Sequence, residues 1–418
     1  MPASTSDFLR ALHERGFIHQ TSDEGAIDAL AREGRLTTYV GYDCTAPSLH
    51  VGHLLSIMML HWLQETGAGR PVILMGGGTT RVGDPSGRDE TRRLLTSEQI
   101  DANKEGIRQV FSRFIRFGEA PRDAVMSDNA EWLTGLNYIE FLRDVGRHFS
   151  INRMLSMDSV RMRLERDQEL SFIEFNYMLL QSYDFVELHR RYGVRLQMGG
   201  SDQWGNIVNG IDLGRRMGTG QLYALTAPLM TTSSGAKMGK TAAGALWLNA
   251  DQVTPYEYWQ FWRNVEDADV GRFLRLFTTL PVAEIARYEA LAGQEINEAK
   301  IVLATKATAL LHGERAADQA KATATATFVS RAVVTSLPSV ELPRAEIEAG
   351  IAIGPAIVLA GLAASNGEVR RAIANGAVSV NDERVVDERR IVGVADLSPD
   401  RVVKLSFGRK RHVLLRAV

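Results

Sequence analysis

Two histidines three positions apart, His50 and His53, lie in the stretch TYVGYDCTAPSLHVGH (38–53). The stretch reads as a β-rich run, a polar loop and the opening of a helix, which puts both imidazoles on one helix face. Gly52 between them carries no side chain, so a flat or phosphorylated ligand can approach the backbone there. A helix N-terminus adds free N–H groups and a positive field, both suited to phosphate oxygens. The same spacing also fits a metal half-site, made tempting by nearby Cys44, or two buried core histidines, and position alone does not choose among them.

A second cluster, GAKMGKT (235–241), sets Lys237 and Lys240 three apart among glycines and small residues. Glycines on both sides predict a mobile loop, and a solvated turn is the commoner fate of such a segment. Two ammonium groups on a loop that closes are also a good device for stabilising charge on transferring phosphoryl oxygens. Three further stretches carry polar groups at ordered spacing. GDPSG (83–87) is a turn that aims Asp84. YMLLQSYD (177–184) places Tyr177, Gln181 and Asp184 at i, i+4 and i+7 of one helix face. GGSDQWGN (199–206) brings Asp202 and Gln203 just after a glycine pair.

The elements that must hold these groups follow from periodicity. TYVGY, PVILMGGG and VRLQMGG are short β-rich runs, each followed by an amphipathic segment, an alternation that predicts a parallel α/β sheet over residues 1–250. Ligands of such sheets collect at the carboxyl ends of the strands, where the clusters above fall. From 251 to 333 aromatic, aliphatic and alanine residues recur at helix spacing, which predicts a helical domain. Pro338, Pro343 and Gly354 mark 334–353 as a linker, and 354–418 reads as a small α+β module.

Composition bounds the rest. At 418 residues, two or three domains are expected, with 45% hydrophobic and 23% charged residues in the ordinary globular range. The net charge is only −2, yet 354–418 holds eleven Lys or Arg against seven Asp or Glu, an excess of four that suits a polyanion. Cys44 is the sole cysteine, which excludes an intramolecular disulfide and any zinc site built on several thiolates. The first residues lack the apolar core of a secretory signal and no run is apolar enough to span a membrane. A cytoplasmic enzyme is expected, although a matrix protein with its transit segment removed would look the same.

The joint occurrence of HVGH early in an α/β domain and KMGKT near its end resembles the paired signatures of class I aminoacyl-tRNA synthetases. With YVGYDCTAPSLHVGH, GDPSG, YMLLQSYD and GGSDQWGN, the chain resembles the bacterial-type tyrosyl-tRNA synthetases. The resemblance runs to a tail, VLAGLAASNGEVRRAIANGAVSVNDERV, that looks like an S4-type RNA-binding module. It implies a Rossmann-like catalytic domain and a ligase that uses ATP, accompanied by Mg²⁺ and with no bound organic cofactor, to activate tyrosine and charge tRNA. A homodimer with no membrane association is also implied. By the same resemblance Tyr39 and Asp184 pair the substrate hydroxyl, Tyr177, Gln181 and Asp84 hold its ammonium group, and Gln203 lies near its carboxylate. Gly41, Asp43, Gly52, His53 and Asp202 line the ATP site. Thr45 and His50 meet the terminal phosphates, with Lys237, Lys240 and Thr241 arriving opposite, and Arg370, Arg371, Arg409, Lys410 and Arg411 are expected at RNA phosphates.

Departures from the family pattern are few. Val51 replaces an isoleucine, Cys44 stands where proline is common, and Gly239 and Thr241 stand where serines are common. Val40 replaces a cysteine able to touch the ATP ribose. A tryptophan-specific relative shares both signatures, but an indole offers no hydroxyl to the Tyr39 and Asp184 pair. A non-catalytic RNA-binding paralogue would be expected to have lost His50, His53, Lys237 or Lys240. An unrelated nucleotide-binding protein would make the S4-like tail a coincidence.

Overall fold

The computed structural model describes residues 5–84, 95–167, 170–233, 235, 238, 240, 241, 244–329, 337–398 and 401–418. The chain divides into two compact units, Met1–Gln252 with Val265–Ala299, and Val253–Asn264 with Lys300–Val418.

The first unit is built on a six-stranded sheet. Its strands are β1 (Gln20–Thr21), β2 (Thr38–Tyr42), β3 (Pro71–Met75), β4 (Val125–Asp128), β5 (Leu196–Gly200) and β6 (Tyr223–Ala227), in the order β1-β6-β5-β2-β3-β4. All neighbours are parallel except the short edge strand β1. β3 and β6 are buried along their whole length, as expected of parallel strands covered on both faces, and this is why PVILM shows no alternation. From β2 the chain builds outward to β3 and β4 on one side, whereas β5 and β6 fill the other, so the order reverses between β2 and β5. These two strands share only the register pairs Thr38↔Leu196 and Tyr39↔Gln197. Beyond Tyr39 they part, and a cleft opens at the carboxyl ends of the strands.

The helix Leu54–Glu65 is apolar almost all round and correspondingly buried. The helix Phe172–Tyr192 starts at a reciprocal cap between Ser171 and Glu174 and ends at Gly193, whose φ of 68° is left-handed. It packs closely along Trp204–Arg216: a Cβ on Gly210 would come within 3.0 Å of the Phe185 ring.

The segment Val265–Ala299 corrects the expected domain limits, because it belongs with the first unit rather than with a separate helical domain spanning 251–333. Its helix Val270–Phe277 turns Phe273, Leu274 and Phe277 inward and packs on Leu54–Glu65. The buried Arg15 closes the C-terminal end of Val270–Phe277 by donating to the carbonyls of Arg275, Thr278 and Leu280 at 3.0, 2.9 and 2.6 Å. The same guanidinium lies 4.2 Å over the Trp62 ring. Helical spacing identifies the helix but not which neighbour its apolar face will find.

In the second unit the helix Pro255–Arg263 packs against Glu314–Val329, and Trp259 Nε1 donates to Thr305 Oγ1 at 3.1 Å. The C-terminal module is a five-stranded sheet, ordered Glu383–Arg384, Val378–Val380, Val402–Phe407, Arg411–Ala417, Ser339–Leu342. The helices Ile353–Leu359 and Asn366–Ala374 contribute Ile353, Ile357, Val369 and Ile373 to its core. The stretch expected as a linker over 334–353 is thus a correction too: Ser339–Leu342 is an edge strand parallel to Arg411–Ala417. Pro338 and Pro343 bracket that strand at its ends, where a missing N–H costs no ladder bond. Lys404, counted among the basic residues of the tail, is fully buried and paired with Asp382 at 2.8 Å, so it adds nothing to the surface charge.

Candidate active site

The cleft between β2 and β5 has a volume of about 410 Å³ and is lined by Tyr39, Gly41, Asp43, Thr45, His50, Gly52, His53, Asp84, Tyr177, Gln181, Asp184, Asp202 and Gln203. Every site residue expected between 39 and 203 therefore converges on one cavity, although the residues lie on or after three strands, β2, β3 and β5, on the helix Phe172–Tyr192 and at the turn Val51–His53. Lys237 lies outside the described residues. Of Lys240 and Thr241 the backbone is described, in a short hairpin with Gly244–Ala245, where glycines predicted an open loop. Met238 is buried, and its carbonyl would stand 3.9 Å from a Cβ on Gly52, so this residue of the second signature lies against the first.

The floor of the cleft is buried, and its carboxylate is held by protein donors. Asp184 is 2% exposed; its Oδ1 accepts from Trp132 Nε1 at 2.8 Å and its Oδ2 from Asn129 Nδ2 at 2.9 Å. Burial pushes its pKa up to about 7, against the lowering pull of those two hydrogen bonds, with the charges of Asp43 and Asp128 adding to the rise. Tyr39, 1% exposed, has a buried hydroxyl with no hydrogen-bond partner among the described residues. Burial, then the charge on Asp184, holds that phenol well above its ordinary pKa. Gln197, the Tyr39 register partner on β5, likewise keeps a buried Oε1 without a partner. An unmatched buried hydroxyl is costly in a folded protein. The Tyr39 hydroxyl beside the buried Asp184 carboxylate, with the Gln197 oxygen in the same cleft, marks a place where a ligand polar group belongs.

Midway along, a second network joins the ends of β2, β3 and β4. Asp43 Oδ1 accepts from Thr79 Oγ1 at 2.9 Å and from the Tyr177 hydroxyl at 3.3 Å, and Thr79 Oγ1 accepts from Asn129 Nδ2 at 3.1 Å. Asp43 thus links Tyr177 to Thr79 across the cleft. Gln181 Nε2 donates to Gln203 Oε1 at 3.2 Å, Gln203 Nε2 donates to Asp84 Oδ2 at 3.1 Å, and Asn206 Nδ2 donates to Gln181 Oε1 at 3.0 Å. A carboxylate, a phenol and amide oxygens gathered here form an acceptor-rich wall suited to a cation.

At the open end the two histidines cap the turn that they start. His50 Nδ1 accepts from Gly52 N at 3.1 Å, and His53 Nδ1 accepts from His50 N at 3.2 Å, so the pair forms a reciprocal cap around the single turn Val51–His53. With both Nδ1 atoms accepting, the proton of each neutral ring is assigned to Nε2, a donor suited to phosphate oxygen. Gly52 is needed for a nearer reason than ligand approach, since a Cβ there would lie 2.8 Å from the His50 ring. Cys44 takes no part: it is buried away from the cleft lining, its thiol donates to Tyr42 O, and burial raises its pKa to about 12. Among the described residues no group of three or more His, Cys, Asp or Glu is placed to hold a metal ion.

Asn129, Trp132, Thr79, Asn206 and Gln197 were not singled out from sequence. Asn129 and Trp132 follow the last strand of the sheet, where strand ends carry function, and that position was the available signal.

Residues 31–329 match the family described as "tRNA synthetases class I (W and Y)". The chain belongs to the class I tRNA synthetases of this tryptophan and tyrosine type. Within that class it falls among the bacterial-type tyrosyl-tRNA synthetases: residues 331–415 match the "Tyrosine--tRNA ligase SYY-like C-terminal domain". It is 68% identical to the tyrosine–tRNA ligase of Nitrobacter winogradskyi and 67% identical to that of Rhodopseudomonas palustris, each over 100% of both chains. A C-terminally truncated mitochondrial tyrosyl-tRNA synthetase of Aspergillus nidulans is similar in structure, with a TM-score of 0.70 and 31% identity over 78% of this chain and 95% of that one.

Proposed function

We infer that the protein is a tyrosine–tRNA ligase, which activates L-tyrosine with ATP to tyrosyl-adenylate and pyrophosphate and then esterifies the 3′ end of tRNA(Tyr). The observation that carries the tyrosine assignment is the partnerless hydroxyl of Tyr39 beside the doubly held carboxylate of Asp184. A phenol satisfies both, by accepting from Tyr39 and donating to Asp184. Phenylalanine leaves the Tyr39 hydroxyl unmatched and offers Asp184 no further donor beyond Asn129 and Trp132, and an indole has no hydroxyl to offer.

In this reading Tyr177, Gln181 and Asp84 hold the substrate ammonium group and Gln203 steers its carboxylate toward the α-phosphorus of ATP. Gly41, Asp43, Gly52, His53 and Asp202 hold the nucleotide. Mg²⁺ accompanying ATP would supply neutralisation of phosphate charge, and among the described residues no group of three or more His, Cys, Asp or Glu is placed to hold it. The carboxylate attacks in line, so no protein nucleophile is needed. Catalysis is positioning plus neutralisation of phosphate charge by Thr45, the Nε2–H groups of His50 and His53, Lys237, Lys240 and Thr241. The test is pyrophosphate exchange into ATP with each of the twenty amino acids: tyrosine alone should support it efficiently, and tryptophan outpacing tyrosine would overturn the assignment.

The C-terminal module is the RNA-binding part, with Arg371, Arg409, Lys410 and Arg411 exposed on it. Arg370 is engaged with Glu388 at 2.8 Å, which makes it the weakest of the phosphate candidates. Because the edge strand Ser339–Leu342 belongs to the module, a clean truncation falls before residue 337. Exchange should survive that cut while tRNA charging is lost; parallel loss of both would mean that the module supports the catalytic fold. The protein is expected to work in the cytoplasm as a homodimer. Support for the dimer comes from segment 138–173, where Ile139 and Phe172 are each 70% exposed and Tyr138, Ile151 and Ile173 are also uncovered, an uncommon amount of bare apolar surface for a monomer.

A further inference from the structure

The segment that carries Lys237 and Lys240 leaves the sheet after β6 and returns at Leu246–Asn249. Its return end is fastened to the histidine turn. Val51 N donates to Leu246 O at 2.9 Å, Leu248 N donates to Leu49 O at 2.9 Å, and Ser48 Oγ donates to Asn249 Oδ1 at 2.8 Å. Its outgoing end is fastened elsewhere, at the start of the helix Val270–Phe277. Asp269 holds the N-cap position of that helix but its side chain makes no capping bond to the helix backbone, although capping is what an aspartate there ordinarily does. Its carboxylate instead reaches the lysine segment: Oδ2 accepts from Ser233 N at 2.9 Å and stands 3.2 Å from Ser233 Oγ. The Ser233 hydroxyl is also 2.7 Å from Glu266 Oε2. Asp269 Oδ1 accepts from Arg272 Nη2 at 2.8 Å, and the same nitrogen donates to Thr231 O. At 2% exposure this carboxylate is withdrawn from water, where charge-assisted hydrogen bonds are strong and directional.

The helix to which this end is tied is itself held by Arg15, which stacks on Trp62 of Leu54–Glu65, the helix that the histidine turn opens. Both ends of the lysine segment are thus referred to the same rigid body as His50 and His53. We propose that Asp269, with Arg272, is a positioning group for adenylate formation: it clamps the outgoing root of the lysine segment so that the ammonium groups meet the phosphates over the histidine turn. This rests on the role given to Lys237 and Lys240 above. Neither Asp269 nor Arg272 lines the cleft, so their effect is on the rate and not on tyrosine binding.

The test compares Asp269→Ala, Arg272→Ala, Lys240→Ala and the double variant Asp269→Ala/Lys240→Ala in the full chain. Single-turnover tyrosyl-adenylate formation and the equilibrium Kd for tyrosine are measured for each, with Tm as a check of folding. Asp269→Ala and Arg272→Ala should each slow adenylate formation by about tenfold or more, since each removes at least one charge-assisted hydrogen bond, with the tyrosine Kd within about twofold. Asp269→Glu, which keeps the charge, should recover part of the rate. Asp269→Ala should slow Lys240→Ala by less than it slows the wild type, because part of the clamp's effect runs through Lys240. Arg272, half-exposed, keeps the proposal testable if Asp269→Ala does not fold. Unchanged rates in folded variants, a parallel loss of tyrosine affinity, or additive slowing in the double variant would each overturn the clamp. Lys240→Ala at the full rate would overturn the lysine role and the clamp with it, whereas slow Lys240→Ala beside fast Arg272→Ala and Asp269→Ala would overturn the clamp alone.

Discussion

The two ends of the cleft are polar by opposite means. At the floor, Asp184, Asn129, Trp132 and Tyr39 are buried, and both oxygens of Asp184 are fixed by donors from outside its own helix. At the mouth, Thr45 is exposed and the imidazoles are only half-buried, while the lysines arrive on a segment tied down at its two roots. The floor has no freedom to adapt, so it sorts ligands by whether they complete its hydrogen bonds. On the proposed reading the mouth meets the phosphates, so its groups would act on the rate. The floor would then serve choice of substrate and the mouth the rate.

The sharpest way to break this contrast is Asp184→Asn. An amide at this position presents an NH₂ to a neighbour that is itself a donor, Asn129 Nδ2 or Trp132 Nε1, and it also loses the charge that the substrate phenol would meet. Tyrosine kcat/KM should fall on the order of 10²-fold or more, as expected when hydrogen bonds to a buried charged group are lost. The loss should be specific to tyrosine, so the preference over phenylalanine should shrink. Lys240→Ala makes the opposite demand, a lower kcat at unchanged KM for tyrosine. Steady-state kinetics on both variants with both amino acids would decide. If Asp184→Asn lowered only kcat, or Lys240→Ala only raised KM, the division of labour between floor and mouth would be wrong.

How far the sequence reached follows the same division. Tyr177, Gln181 and Asp184 were legible because helix periodicity puts them on one face, and β2, β3 and β5 because apolar runs precede glycine-rich loops. The partners that make Asp184 usable were not, since Asn129 and Trp132 lie 55 and 52 residues away along the chain and only the sheet order brings them together. The histidine spacing was legible, but its local cause was not: two imidazoles capping one turn with Gly52 cleared for the His50 ring is a matter of dihedral angles. Composition misled at Ser339–Leu342, where two prolines that bracket a strand resemble the prolines of a linker. It misled again at Lys404, whose charge is spent inside on Asp382.

The smallest effect is also the most specific to the floor, and it concerns pH. The Asp184 carboxyl is raised to about 7 by burial, from an ordinary value near 4 in an unfolded chain. A carboxyl raised on folding binds its proton more tightly in the native state. Its contribution to stability is therefore complete below about pH 4 and is lost as the pH rises through about 7. Tyrosine reverses the preference. A phenol that donates to Asp184 favours the ionised form, so binding should tighten as the pH rises through about 7 and weaken below it, by at most about tenfold per pH unit. Calorimetric titration of tyrosine between pH 5.5 and 8.5 should show proton release on binding near neutrality. Asp184→Asn should abolish that release along with the slope. A flat affinity profile in the wild-type chain would mean that Asp184 is already ionised in the empty cleft, and that Asn129 and Trp132 outweigh its burial.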